Sequence, residues 1–100
     1  MAQIAFISRM TVKQGREAEY VRLCKALAAK VLANEARDRT LYFSFFKLRE
    51  PRRYAVIEVF SSEAAEHAHM TSPWLGEFGP GIMACLDGEY VREYLDPFEA

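Results

Sequence analysis

The sequence predicts an α+β domain in which two helices cover one face of a four-stranded antiparallel sheet. Three observations lead to this class: period-two alternation near the N-terminus, a long helical stripe directly after it, and two runs of aromatic and β-branched residues in the middle of the chain. A length of 100 residues fits a single domain, which we place over residues 1–100. We expect strands over 3–12, 40–48, 54–60 and 84–95, and helices over 16–35 and from the Ser61-Ser62 pair to about Met70.

The first strand and the first helix differ in the period of their apolar residues. The stretch QIAFISRMTV alternates, with Phe6, Ser8 and Met10 on one side and Arg9 on the other, which is typical of a strand. A turn at KQG follows. The next segment repeats apolar side chains at helical spacing, which predicts one buried stripe. The stripe consists of Tyr20, Cys24, Leu27 and Val31.

Two strands joined by a hairpin connection follow the helix. TLYFSFFKL and YAVIEVF are rich in the residue types that strands favour, and REPRR between them holds a proline. Ser61 or Ser62 then caps the second helix, with Glu63 in its first turn. Because Pro73 disfavours helical geometry at Ser72, we expect this helix to end before it.

The last third of the chain has the least regular pattern. WLGEFGPG, residues 74–81, is expected to be an irregular piece with room for one helical turn. The final strand is expected to be interrupted near Asp87 and Gly88 by a bulge or a bend. The resulting order, β-α-β-β-α-β, is that of the ferredoxin-like unit.

Both faces of the predicted sheet are apolar, although two helices can cover only one of them. A second apolar face of this size does not stay in water. We therefore expect it to pack on the same face of another copy in a two-fold homodimer, with an unusually apolar monomer as the alternative. In the second strand one face carries Leu41, Phe43 and Phe45, and the other carries Tyr42, Phe46 and Leu48.

Composition and absent motifs narrow the class of function. A net charge of −1 lacks the basic field that nucleic acids and acidic membranes attract, so we expect neither partner. No apolar run approaches the ~18 residues of a membrane span, and no signal peptide is recognisable, which favours a cytoplasmic protein. Cys24 and Cys85 form no CxxC motif and are expected to be reduced core residues. Without a phosphate loop, a GxSxG motif or metal-ligand spacing, we expect no cofactor and no metal.

The segment EAAEHAHMTSPW contains both histidines and the single tryptophan. His67 and His69 lie two positions apart, about 200° around a helix, so they face opposite ways and do not chelate one metal. His69 shares a face with Ala65 and Ala68, so we expect it to point toward the sheet and His67 toward solvent. In that position His69 is either a hydrogen-bonded core histidine or a general base in a cavity.

Four other side chains are candidates for the same cavity, and three of them have a structural alternative. Trp74 follows the helix end and either closes over a pocket, with its N–H as a donor, or packs in the core, and Phe78 extends the same wall. Glu58 lies in mid-strand, where it either orients a catalytic group or pairs with Arg or Tyr on a neighbouring strand. Ser8 interrupts the apolar side of the first strand and is either a pocket hydroxyl or a backbone-bonded serine.

These segments in this order resemble the antibiotic biosynthesis monooxygenase family over nearly the whole chain. The resemblance depends on VKQGREAEY, NEARDRTLYFSFFK, YAVIEVF and SSEAAEHAHMTSPW. The resemblance places the family glutamate on Glu58 and the family histidine on His69. It implies a dimeric α+β barrel that oxygenates small aromatic, anthrone or quinone-like compounds with O₂ and without flavin, haem or metal. It further implies His69 as the base, with Ser8, Tyr42 or the Trp74 N–H stabilising the oxyanion.

Two other functions remain open beside the monooxygenase. Members of the family include isomerases, and the fold hosts unrelated functions, so a non-oxidative enzyme or a small-molecule-binding dimer is the main alternative. Haem-degrading relatives carry an Asn and a Trp upstream of the His, whereas this chain has Phe6, Ile7 and Ser8 in the first strand and its tryptophan downstream. Haem degradation is therefore disfavoured, although His69 is of a type that ligates haem iron.

Overall fold

A computed structural model describes residues 3–98 and confirms the ferredoxin-like α+β fold, with one helix more than expected. The four strands form an antiparallel sheet in the order β2-β3-β1-β4. The elements are β1 Ile4–Thr11, α1 Glu17–Asn34, β2 Thr40–Lys47, β3 Arg53–Phe60, α2 Glu63–Met70, α3 Pro73–Ala84 and β4 Val91–Tyr94.

The strand register determines which side chains share the helix-covered face. Ser8 lies directly opposite Val56 on β3 and Arg92 on β4, and Phe6 lies opposite Glu58. Because directly opposed residues project to the same side of a sheet, these five side chains belong to one face. Phe6 and Ser8 are almost fully buried on it. Polar and charged residues of three strands therefore meet beneath the helices.

The predicted stripe of α1 is confirmed as the helix surface that enters the core. Tyr20, Cys24, Leu27 and Val31 are its buried residues. They pack with residues of β1, β3 and the segment after α2 in the larger of two apolar clusters. Full burial of one such aliphatic side chain stabilises the fold by about 1.5–3 kcal/mol. A smaller cluster of Phe6, Phe60 and Ala65 lies beneath α2.

The prediction of an irregular piece over 74–81 is wrong, because this segment belongs to the twelve-residue helix α3. The Ser72 hydroxyl accepts from the Leu75 N–H, and Pro73 occupies the first turn, where a missing N–H costs nothing. Pro73 therefore ends α2 and begins α3. The new helix packs against α1, where a Cβ on Gly81 would lie 3.0 Å from Leu23 Cδ1. Glycine permits this close approach.

The last strand is shorter than the predicted 84–95. β4 covers Val91–Tyr94, and Leu86 makes only an isolated bridge with Val12. Gly88 adopts a φ of 87°, and the backbone N–H of Asp87 donates to the Thr11 carbonyl. The chain therefore bends at Asp87 and Gly88, where the sequence predicts an interruption of the strand. This bend brings β4 back beside β1 with Arg92 opposite Ser8.

Within residues 3–98, no helix covers the other face of the sheet. Strand alternation places Ile7, Ile57, Tyr42 and Phe46 on it, and Tyr42 and Phe46 are 44% and 42% exposed. This is the apolar face for which the sequence predicts a second copy, and the dimer stays a prediction.

Candidate functional site

A cavity of about 330 Å³ lies between the helix-covered face of the sheet and α3. Its size is at the lower end of the roughly 300–1,000 Å³ typical of small-molecule sites, which favours a compact ligand. Met70 and Met83, which are 44% and 51% exposed, lie at its rim. Its apolar lining includes Met10, Phe43, Phe45, Val56, Leu75 and Ile82.

Three buried polar atoms with no hydrogen-bond partner among residues 3–98 all belong to side chains that line this cavity. They are Ser8 Oγ, Glu58 Oε1 and Arg92 Nε. Buried polar atoms are nearly always paired, so each exception calls for an explanation. The guanidinium carbon of Arg92 lies 3.9 Å from the centroid of the Phe6 ring, which holds the side chain over the sheet. Two donors and one acceptor are therefore available to a ligand.

His69 reaches the same cavity from the last turn of α2 and is 2% exposed. Its ring lies between those of Phe43 and Phe60, with centroid distances of 5.1 and 5.0 Å. The expectation that His69 points toward the sheet and His67 toward solvent is confirmed, since His67 is exposed.

A carboxylate stands on each side of the imidazole. Nδ1 of His69 lies 2.7 Å from Glu35 Oε2, and Nε2 lies 3.4 Å from Glu58 Oε1. The first distance is a good hydrogen bond, and the second is long for one but within the range of an ion pair. Burial lowers the pKa of His69, but hydrogen bonding and attraction from Glu58 and Glu35 outweigh it, so the pKa is raised above its ordinary value.

Glu35, like Arg92, is a site residue that the sequence analysis missed. It directly follows α1, and its carboxylate accepts from Thr40 Oγ1 at 2.5 Å and from Trp74 Nε1 at 2.7 Å, beside its contact with His69. The helix dipole disfavours a carboxylate at a helix C-terminus, so the presence of Glu35 at the end of α1 could have marked it as a residue with a special role. Its partners lie far away in sequence, and no local pattern predicts them.

The structure brings only some of the predicted pocket residues to the cavity. Ser8, Glu58 and His69 line it. Trp74 instead donates its N–H to Glu35 and lines a second cavity of about 280 Å³ behind the imidazole, so it does not close over the first one. Phe78 is half-buried against the core, and Tyr42 lies on the open face of the sheet opposite Val59. Trp74 and Phe78, expected as walls of the pocket, and Tyr42, which the resemblance implied beside the oxyanion, are therefore absent from the lining of this cavity.

The remaining chemistry-bearing groups point to packing. Cys24 and Cys85 are buried free thiols, and burial raises the pKa of Cys24 to about 12, which disfavours a reactive thiolate. Among residues 3–98, no group of three His, Cys, Asp or Glu side chains is arranged to hold a metal ion. In the same part of the chain no helix is both long and apolar enough to cross a membrane.

Comparison with known proteins connects this geometry to a family. The family model described as antibiotic biosynthesis monooxygenase matches residues 4–79. A solved structure from Caulobacter crescentus CB15, provisionally named an antibiotic biosynthesis monooxygenase, has a TM-score of 0.90 and 28% identity over 98% of this chain and 92% of that one. A search of curated proteins found no match.

Two more distant structures show the fold alone. A conserved protein from Methanosarcina mazei Go1 has a TM-score of 0.84 and 24% identity over 96% of this chain and 93% of that one. A protein from Nitrosomonas europaea, again provisionally named an antibiotic biosynthesis monooxygenase, has a TM-score of 0.84 and 10% identity over 98% of this chain and 92% of that one.

Proposed function

Because this chain belongs to the antibiotic biosynthesis monooxygenase family, we propose that it oxidises a small aromatic, anthrone or hydroquinone-like substrate with O₂ and without a cofactor. The observation that carries the proposal is the cavity itself. Its lining is mostly apolar, yet all three buried side-chain N and O atoms without a hydrogen-bond partner in residues 3–98 belong to its lining residues, which also include His69. An apolar ring system with one or two oxygens would fill the space and pair those atoms.

The proposed reaction begins with removal of a proton from the substrate. The Glu58–His69 pair takes this proton, and the resulting anion is electron-rich enough to reduce O₂ directly. One oxygen atom is added to the substrate, two substrate hydrogens are lost, and the second oxygen atom leaves as water. The substrate supplies all the electrons, so the protein contributes orientation, exclusion of water and control of the proton.

Each polar side chain of the cavity has a separate role in the proposed reaction. Ser8 and Arg92 offer hydrogen-bond donors to a substrate oxygen from adjacent strands, and Glu58 offers an acceptor. His69 lies beside Glu58 and is held by Glu35. Both imidazole nitrogens face carboxylates, so a haem iron would have to compete with Glu58 for Nε2. This arrangement favours proton transfer over axial ligation.

The first test is oxygen uptake by purified protein against a panel of anthrones and hydroquinones. We expect uptake above buffer autoxidation, lost in His69→Ala and kept in the matched variant His67→Ala, whose side chain is exposed on the same helix. Equal uptake in both variants would remove His69 from the mechanism. Turnover that continues without O₂ would instead indicate an isomerase, and a Soret band on haem titration would indicate a haem protein.

The proposal includes a cytoplasmic homodimer formed through the open face of the sheet. That face presents Tyr42 and Phe46 at 44% and 42% exposure, and no helix in the described part of the chain covers it. Large apolar patches of this kind mark interfaces. We expect sedimentation equilibrium to give twice the chain mass and Ile57→Asp to give monomers. The control is Ala29→Asp, which alters an exposed side chain of α1, the helix that packs on the other face of the sheet. A monomeric wild-type protein would refute the dimer.

A further inference from the structure

We infer that Glu58 accepts the first substrate proton, and that His69 acts in its protonated form by donating a hydrogen bond from Nε2 to the resulting oxyanion. These roles rest on the proposed function, because they specify its deprotonation step. They reverse the assignment that the family resemblance implies, in which His69 is the base.

The first support is the balance of buried charge around the imidazole. The side chains of Glu35 and Glu58 are each 8% exposed, and that of His69 is 1% exposed. A neutral imidazole has a single N–H and leaves one of the two buried carboxylates without its partner. An imidazolium offers one N–H to each of them, and buried charges are stable only when paired.

The second support is the way Glu35 fixes the proton positions. Thr40 and Trp74 both donate to Glu35, and Trp74 Nε1 has no other hydrogen-bonding role than donation. Glu35 is thereby held as an acceptor for Nδ1–H of His69. The proton on Nδ1 is consequently fixed, and the charge of the ring depends on whether Nε2, which lies 3.4 Å from Glu58 Oε1, also carries a proton. Imidazole is the stronger base of those two groups, so the ring holds it at rest.

Four charged side chains face His69, and the two that contact the ring favour the imidazolium. Glu35 faces it from the end of α1 and Glu58 from β3. Arg92 on β4 lines the same cavity as His69, and Arg39 before β2 lines the second cavity. The two carboxylates are in contact with the ring, and they raise the pKa of His69 despite its burial.

Glu58 is then the group able to accept a proton inside the cavity. Its Oε1 is buried, lies 3.4 Å from His69 Nε2, which is an ion-pair contact without a good hydrogen bond, and belongs to a residue of the cavity lining. When a phenolic or enolic O–H is placed there, that bond breaks and an O–H bond forms on Glu58 Oε1. The substrate oxygen keeps the electron pair and accepts Nε2–H from His69. No other reagent takes part in this step.

The decisive measurement is the ¹⁵N spectrum of the histidine side chains of the free protein between pH 5 and 9. The chain has two histidines, so His67→Gln assigns both signals. We expect His69 to have protons on both nitrogens at neutral pH, and its titration midpoint to fall in Glu58→Gln, while the exposed-site control Glu63→Gln leaves it unchanged. An unprotonated Nε2 at neutral pH would overturn the assignment.

The direction in which oxygen uptake changes with pH is an independent test of the protonation state of His69. If imidazolium is the active form, uptake falls as pH rises through the pKa of His69; if neutral imidazole is the base, uptake rises over the same interval and the inference fails. Glu58→Gln should lower uptake by about a hundredfold, as expected on loss of a proton acceptor, and Glu63→Gln should not.

The two failures are distinguishable. If His69 is an imidazolium but the protein takes up no oxygen, the assigned proton positions stand and the proposed function is wrong. If the protein consumes oxygen with a neutral His69, the proposed function stands and the assigned roles of Glu58 and His69 are wrong.

Discussion

Replacing Ser8 by alanine should not lower the free energy of unfolding, although it should lower oxygen uptake. Ser8 Oγ is buried without a partner, and Ser8 is only 2% exposed. A buried unpaired hydroxyl carries a desolvation penalty of about 1–3 kcal/mol. Ser8→Ala removes that penalty and a small amount of packing, so we expect a free energy of unfolding equal to the wild type or up to about 1 kcal/mol higher.

Ser72→Ala is the matched control, because Ser72 is the other buried serine and has partners. Its hydroxyl donates to the His69 carbonyl at 2.7 Å and accepts from the Leu75 N–H as the cap of α3. Loss of an N-cap costs about 1 kcal/mol, with a range of about 0.5–2. Ser72→Ala should therefore lower the free energy of unfolding and Ser8→Ala should not, although both variants delete one oxygen.

The assay is urea unfolding followed by the fluorescence of the single tryptophan, Trp74, at one protein concentration, with oxygen uptake measured in parallel. We expect Ser8→Ala to keep its unfolding midpoint and lose uptake. If Ser8→Ala is destabilised as much as Ser72→Ala, the hydroxyl is satisfied within the fold, and the reasoning from unpartnered atoms is refuted.

Three further predictions concern Glu35, α3 and pH. Glu35→Ala leaves the donors of Thr40, His69 and Trp74 without an acceptor and should lower the free energy of unfolding by about 2–4 kcal/mol. Glu35→Gln keeps an acceptor and should lower it by less. Equal losses for the two variants in urea unfolding would contradict this reasoning. Gly76→Ala, where an added Cβ meets nothing within 4 Å, should raise the thermal midpoint through about 0.5–1 kcal/mol of helix propensity, and a lowered midpoint would show strain. Because the folded-state pKa of His69 is raised, the folded state binds its proton more tightly, so its contribution is full below about pH 6.5 and is lost as pH rises through the raised pKa. Unfolding of His69→Gln should accordingly differ most from wild type at low pH, and a gap that widens with pH would contradict the shift.

The regular part of the fold could be predicted because its signals are local. The alternation around Phe6 and Met10 and the stripe through Leu27 gave β1 and α1 to within one residue at each end. Each signal depends on neighbours one turn or two residues away. Ser72-Pro73 was misjudged because the same proline that ends one helix is favoured at the start of the next.

His69 could be singled out in the same local way, since helix rotation separates it from His67. Of the two carboxylates beside it, Glu58 could be named from its position in mid-strand, and Glu35 could not. Glu35 is 34 residues away from His69, and Arg92 meets Ser8 only because the bend at Gly88 returns β4 to the edge of β1. Trp74 could be identified as a donor, but not as a donor to Glu35.

The sequence by itself determined the α+β class, most of the element boundaries and the histidine that faces the sheet, because periodicity is a property of neighbouring residues. The tertiary structure alone decided that two carboxylates flank that histidine and that Ser8, Glu58 and Arg92 line one cavity with unpartnered atoms. Those arrangements depend on strand register and on where helix ends meet, which are fixed only when distant segments pack together.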